Sequence, residues 1–162
     1  MAVELMRIDD RLIHGQVVVG WGQPLDIGFI VLVDDEVAGS DWEQELYRMG
    51  VPPEMEVRFA SVDEAALSLP DYERDPRRGI ILTGDIASMR RLVDANSGVR
   101  RINLGGIHHR TGRVQRLRYI FPSPQEEPEL RELAARGIGI SAHDVPSARP
   151  IPLTDVLEGS AA

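Results

Sequence analysis

Short runs of apolar residues alternate along the chain with stretches whose apolar positions recur every three or four residues, the rhythm of strands interleaved with helices. The first strand is predicted over Val3–Ile8. The second, Gly28–Val33, is almost wholly apolar, as a parallel strand covered on both faces requires. Ser40-Asp-Trp-Glu43 has the form of a capping box. Trp42, Leu46 and Met49 then fall at i, i+4 and i+7, the core-facing stripe of a helix that Gly50 and Pro52 end. Trp21 also reads as core. Met55–Ala60 alternates like a strand, and Ser61-Val-Asp-Glu64 is a second capping box opening a short helix. Pro70–Arg78 reads as a charged loop. Gly79–Leu82 predicts another buried strand, and Ile86, Met89 and Val93 mark one face of a helix ended by Asn96–Gly98. Arg101–Leu104 is a short strand running into Gly105-Gly106.

After Gly106 the rhythm changes. Val114–Phe121 reads as a strand reached through a hairpin at Thr111-Gly112, an antiparallel addition. A helix near Gln125–Arg136 packs Leu130, Leu133 and Ala134, with Pro124 and Pro128 both qualifying as first-turn prolines. Gly137–Val145 supplies the last strand. The sum is an α/β fold: a single domain over residues 1–157 with a mainly parallel central sheet, helices on both faces and late antiparallel strands. Residues 158–162 are expected to form a mobile tail.

Composition narrows the classes. The chain has 162 residues, 43% apolar and 27% charged, the proportions of one globular domain with a proper core. No apolar run approaches the roughly 20 residues of a membrane helix. Glu4, Asp9 and Asp10 break the N-terminal stretch, so it is not a signal peptide. The absence of Cys removes disulfides and thiolate metal sites and fits a cytosolic address. The net charge of −8 argues against a nucleic-acid partner. All 18 basic residues are Arg, so a Lys-bearing nucleotide phosphate loop is excluded.

In open parallel sheets ligands gather at the carboxyl ends of the strands, which directs attention to the loops Asp9–Gly15, Asp34–Val37, Thr83–Asp85 and Gly105–Arg110. The first loop carries most chemistry: Asp9, Asp10, Arg11 and His14 lie within a few residues of the first strand. A His there is a general base, a metal ligand, a phosphoryl-accepting nucleophile, or a structural His beside an ordinary ion pair. Arg11 favours phosphate chemistry, because its permanent cation disfavours imidazolium and its fork can clamp a phosphoryl oxygen. Gly15 permits a tight turn, and the amides of Gly15 and Gln16 open a helix whose buried side carries Val17, Val18, Val19 and Trp21. Thr83 and its neighbouring amides are candidates to touch an incoming phosphate, with Asp85 more simply a helix cap. His108-His109 lacks metal-ligand spacing and reads as loop, with a role in partner choice as the sharper alternative. Asp34-Asp35-Glu36 repels phosphate and reads as loop-shaping or partner-facing, and His143 as structural.

The segment Arg7-Ile-Asp-Asp-Arg-Leu-Ile-His-Gly-Gln-Val17 resembles the signature of the enzyme IIB components of the mannose/fructose/sorbose family of the bacterial phosphotransferase system. Val33-Asp-Asp-Glu-Val-Ala38, Ile102-Asn-Leu-Gly-Gly106 and Ala135-Arg-Gly-Ile138 resemble further family segments; the paired histidines do not. The resemblance implies that His14 accepts a phosphoryl group on Nδ1 from a phosphohistidine of the IIA component. His14 then passes it to a sugar held by the membrane IIC and IID components. Arg11 would stabilise the group in flight, and Asp10 would orient the loop or Arg11, or cap a helix. Gly15, Gln16, Thr83, Asp85, Gly105 and Gly106 are the candidate phosphate or loop contacts. No cofactor or metal is implied. His14 should be exposed on a docking surface, beside a local basic patch around Arg11. The alternative role is a standalone regulatory IIB whose phosphorylation state signals to a protein partner without transport. A homodimer is compatible with the resemblance, though nothing in the chain requires it.

Overall fold

The computed structural model of the chain describes residues 2–158. Parallel strands dominate because the apolar runs Ile27–Val33 (β2), Arg78–Thr83 (β4) and Val3–Ile8 (β1) need cover on both faces. With Glu56–Ala60 (β3), Arg101–Leu104 (β5), Gly139–Ala142 (β6) and Ile151–Pro152 (β7) they form one seven-stranded sheet in the order β3-β2-β4-β1-β5-β6-β7. All neighbours pair in parallel except β6 and β7. The fold is therefore a single α/β domain of the expected class, with its antiparallel pairing late in the chain.

Alternate residues of each strand face opposite layers. One face packs Ile8, Phe29, Val31, Ile81, Ile102 and Leu104 against four helices, Val62–Glu73 (α3), Ile86–Ala95 (α4), Glu126–Ala135 (α5) and Leu153–Glu158 (α6). The other packs Ile30, Leu32, Ile80 and Leu82 beneath a π-helix, Gln16–Gly22, whose Val17, Val18 and Trp21 are buried. Asp35–Ala38 (α1) and Asp41–Met49 (α2) complete the chain between β2 and β3. No helix of the described residues is long and apolar enough to cross a membrane.

Several expectations are met at atomic detail. Ser61 accepts from the Glu64 amide while the Glu64 carboxylate takes the Ser61 amide, the reciprocal capping box. Asp85 caps α4 by accepting from the Ser88 amide at 2.7 Å. Ser123 and Glu126 exchange the same kind of bonds ahead of α5, a signal present in the sequence but not read.

Other expectations fail for identifiable reasons. α3 runs through Pro70 to Glu73 instead of stopping. Proline leaves the Ala66 carbonyl without its helical donor, and Asn96 Nδ2 takes that carbonyl at 3.1 Å, so the break costs no hydrogen bond. Val114–Phe121 forms no ladder, only isolated bridges of Ile120 with Ile107 and Leu117. The Gly112 turn exists, with φ of +87°, but both edges of β5 are already taken by β1 and β6. Ser40 makes no side-chain cap; Gln44 anchors α2 instead by donating to the carbonyls of Val37 and Ala38. Trp42 is 69% exposed rather than core, because Tyr47 and Val51 already pack against that side of the sheet. Val19 is likewise exposed. The tail expected from residue 158 begins within a helix, since Glu158 closes α6, and 159–162 lie outside the described residues.

Candidate active site

The site grows from the end of β1, where period-two alternation sends Arg7 and Asp9 to one face and Ile8 and Asp10 to the other. Arg7 is fully buried, a placement tolerable only for a charge that is paired and hydrogen-bonded. Its guanidinium donates to the Asn103 side chain, to the His143 carbonyl at 2.8 Å and to Asp9 Oδ2 at 3.2 Å. Trp21 reaches over from the π-helix to lie 5.2 Å from it and donates its indole N–H to the Asp144 carbonyl. Burial pushes the Arg7 guanidinium down from its ordinary value, opposed by the Asp9 charge.

Asp9, also fully buried, is the hub. Its Oδ2 contacts His14 Nε2 at 3.1 Å as well as Arg7. Its Oδ1 accepts from the Arg11 amide at 3.1 Å and approaches the Arg11 Nε at 3.5 Å. Burial raises this carboxyl, but the His14 hydrogen bond and the Arg7 charge outweigh that and hold it at about 2. One carboxylate thus fixes both His14 and Arg11. Reading the sequence by alternation would have found it, since Asp9 shares Arg7's face and Asp10 does not.

Asp10 reaches across to a second loop, which fits the loop-orienting alternative expected of it. Its carboxylate accepts the His108 amide at 2.7 Å and pairs with His108 Nδ1, tying the loop after β5 to the loop after β1. It orients neither Arg11 nor a helix. His109 meets Phe121 edge-on, and His143 is held by the Ala148 carbonyl against Trp21.

Gly105 and Gly106 explain themselves through Asp9. A Cβ on Gly105 would sit 2.5 Å from Arg7 Nη2 and 2.6 Å from Asp9 Oδ2. One on Gly106 would sit 3.2 Å from Asp9 Oδ1 and 2.5 Å from His108. Only glycine lets this backbone cross beside the carboxylate. Gly15, in contrast, has helical angles and open space around it. The tight backbone belongs to Leu12, which holds φ of +58° with its side chain buried. Thr83 is fully buried; its carbonyl accepts the Asp9 amide and its hydroxyl donates to the Asp85 carbonyl. Thr83 and Asp85 therefore support the loop from below and make no hydrogen bond with His14.

The edge that remains open to solvent carries His14 and Arg11. The His14 side chain is 18% exposed and that of Arg11 43%. Arg11 Nη2 donates to Gln16 Oε1 at 2.7 Å, and Gln16 Nε2 donates to Asp144 Oδ1 at 2.7 Å. With Nε2 engaged by Asp9, His14 Nδ1 has no hydrogen-bond partner among the described residues. The π-helix starts directly after this histidine, whose carbonyl accepts from the amides of both Val17 and Val18.

Residues 3–161 match the family model described as the PTS system sorbose subfamily IIB component. The chain belongs to that family. It is thus a phosphotransferase-system IIB component of the mannose/sorbose type, as the loop signature indicated. Among curated proteins, this IIB chain is 30% identical over 145 residues to the N-acetylgalactosamine-specific phosphotransferase enzyme IIB component 1 of Escherichia coli strain K12, covering 88% of this chain and 90% of that protein. It is 27% identical over 161 residues to the sorbose-specific EIIB component of Klebsiella pneumoniae, covering 99% and 98%. The crystal structure of the IIBSor domain of the sorbose permease from Klebsiella pneumoniae superimposes with a TM-score of 0.87 at 28% identity, covering 98% of this chain and 97% of that one.

Proposed function

We propose that this IIB chain is a phosphoryl carrier: Nδ1 of His14 accepts a phosphoryl group from phospho-IIA and passes it to a sugar held by membrane IIC and IID components. The observation that carries this reading is the Asp9 contact to Nε2. A carboxylate on one ring nitrogen keeps the proton there and leaves the lone pair on the other. Nucleophilic attack by Nδ1 on phosphorus forms the N–P bond while the donor imidazole's N–P bond breaks, and the donor nitrogen recovers its lone pair. Such a transfer needs an aligned nucleophile and charge on the equatorial oxygens rather than further covalent help. Arg11, fastened to the same carboxylate, supplies the charge, and the amides of Gly15 and Gln16 at the start of the π-helix supply further donors. Passage to the sugar reverses the roles: a sugar hydroxyl attacks phosphorus, the His14 N–P bond breaks, and the hydroxyl proton passes to the freed imidazole nitrogen. The names of the sorbose- and N-acetylgalactosamine-specific relatives support sugar handling of this kind.

The test is incubation with phosphoenolpyruvate, enzyme I, the phosphocarrier protein and a cognate IIA. An acid-labile phosphate should appear on His14 and vanish in His14→Ala. Phosphate on His108, His109 or His143 instead would sink the assignment.

A further inference from the structure

α2 is built inside out. Its inward side is polar, with Glu43, Gln44 and Tyr47 half-buried and Gln44 donating to the carbonyls of α1. Its apolar stripe points to solvent: Trp42, Leu46 and Met49 are 69%, 56% and 79% exposed, and no residue of the helix is fully buried. At 100° per residue these three side chains share a sector about 60° wide. Asp41 and Glu45 flank it on one side and Glu43 on the other. The acidic margin continues toward α1, since Glu43, Asp34 and Glu36 together push the Tyr47 hydroxyl up after its burial. Asp34 and Glu36 in turn line a hollow of about 310 Å³ with Asp10, Asp85, Arg110 and Arg113 at the carboxyl end of the sheet. Acidic residues after β2 thus lie between α2 and a hollow that Asp10 of the His14 loop also lines.

We propose that the Trp42–Leu46–Met49 stripe docks this protein onto the cytoplasmic face of the membrane partner that receives its phosphate, in an apolar hollow rimmed by Lys and Arg. The reading rests on the carrier function proposed above. Size and charge choose the occupant. An apolar patch on the order of 400 Å² matches the largest patch of a typical monomer, which is often functional, and is about half of what each partner of a standard stable complex buries. A second copy would place acidic margins against acidic margins. Bare lipid carries negative charge at the cytoplasmic surface and would repel them and a chain of net charge −8. Cytoplasmic loops of integral membrane proteins carry an excess of Lys and Arg, the complementary rim.

The experiment compares the wild type with the double variant Leu46→Glu, Met49→Glu on vesicles containing the IIC and IID components and on protein-free vesicles of the same lipids. Both substituted positions are exposed, so thermal unfolding and the rate of phosphorylation by phospho-IIA should match the wild type. Binding to the IIC/IID vesicles should weaken roughly tenfold or more, with the KM for phospho-IIB in sugar phosphorylation rising likewise. The charge reversal Glu45→Arg should weaken binding too. Unchanged vesicle binding by the double variant overturns the proposal. So does equal wild-type binding to protein-free vesicles, or a wild-type dimer in sedimentation that the double variant dissolves. Failure of His14 to take phosphate in either protein would instead refute the carrier function, leaving the vesicle comparison to decide the docking site.

Discussion

Asp9→Asn removes one negative charge from a hub of four contacts and almost nothing else. Arg7 then keeps a fully buried charge with no carboxylate bonded to it, since its other hydrogen-bond partners, Asn103 and two backbone carbonyls, are neutral and Asp144 acts only through space. Breaking a buried pair by neutralising one partner costs about 3–5 kcal/mol. The carboxyl itself gives a second measure: held at about 2 against 3.8 in an open chain, it contributes about 2 kcal/mol of stability at neutral pH. A loss of about 3 kcal/mol is expected, which lowers the melting temperature by roughly 10 °C for a domain of this size. The pH dependence has a definite sign. As pH falls from about 4 to about 2 the unfolded carboxyl takes up a proton that the folded one refuses, so wild-type stability declines across that window. The Asn variant lacks this component, and its disadvantage should narrow in acid. Urea titrations at pH 7 and pH 3 measure both effects. Phosphorylation by phospho-IIA, followed with radiolabelled phosphoenolpyruvate at a temperature where the variant is folded, should slow by about a hundredfold as His14 loses its tautomer lock. A variant as stable as the wild type, or one phosphorylated at the wild-type rate, refutes the hub.

Other outcomes follow from the same geometry. Arg11→Ala, at a half-exposed position, should leave thermal unfolding within about 0.5 kcal/mol of the wild type and slow phosphorylation about a hundredfold in the same assay. Gly105→Ala pushes a methyl into Arg7 and Asp9, and should cost about 1–3 kcal/mol in urea unfolding together with a slower transfer. Gly15→Ala meets open space at helical angles and should raise stability by about 0.5 kcal/mol; a drop in transfer rate from that variant would show that partner or phosphate uses the gap. His108→Ala removes the ring contact to Asp10 but keeps the backbone amide bond, and should cost about 1 kcal/mol while leaving His14 phosphorylated.

The sheet was legible because its signal is local. Runs such as Phe29–Val33 and Ile80–Leu82 are fully buried and leave no polar position to misread. Capping at Ser61 and Asp85 was legible for the same reason, each cap closing over three residues. What escaped depends on distant partners. Pro70 sits mid-helix only because Asn96 supplies a donor from the next helix. Val114–Phe121 alternates like a strand but finds no free edge. The α2 stripe has the spacing of a core helix, and periodicity does not say which side of a helix meets the sheet. In the candidate site, His14 and Arg11 stand out in the sequence by residue type. Residue type alone does not separate Asp9 from Asp10, which alternation along β1 sends to opposite faces, and a glycine in the loop does not show that the positive φ falls on Leu12.

The bond between Asp9 and His14 lies on the far side of the ring from the nitrogen that would carry the phosphoryl group. Loading and unloading that nitrogen therefore leave the bond to Asp9, and through it to Arg7 and the sheet, intact. A carrier anchored this way has almost the same shape full or empty. Its partners must then tell the two states apart by the charge on the ring, so a donor that leaves after loading and an acceptor that arrives then would be sorted electrostatically. Affinity for each should change with salt more steeply in one state than in the other.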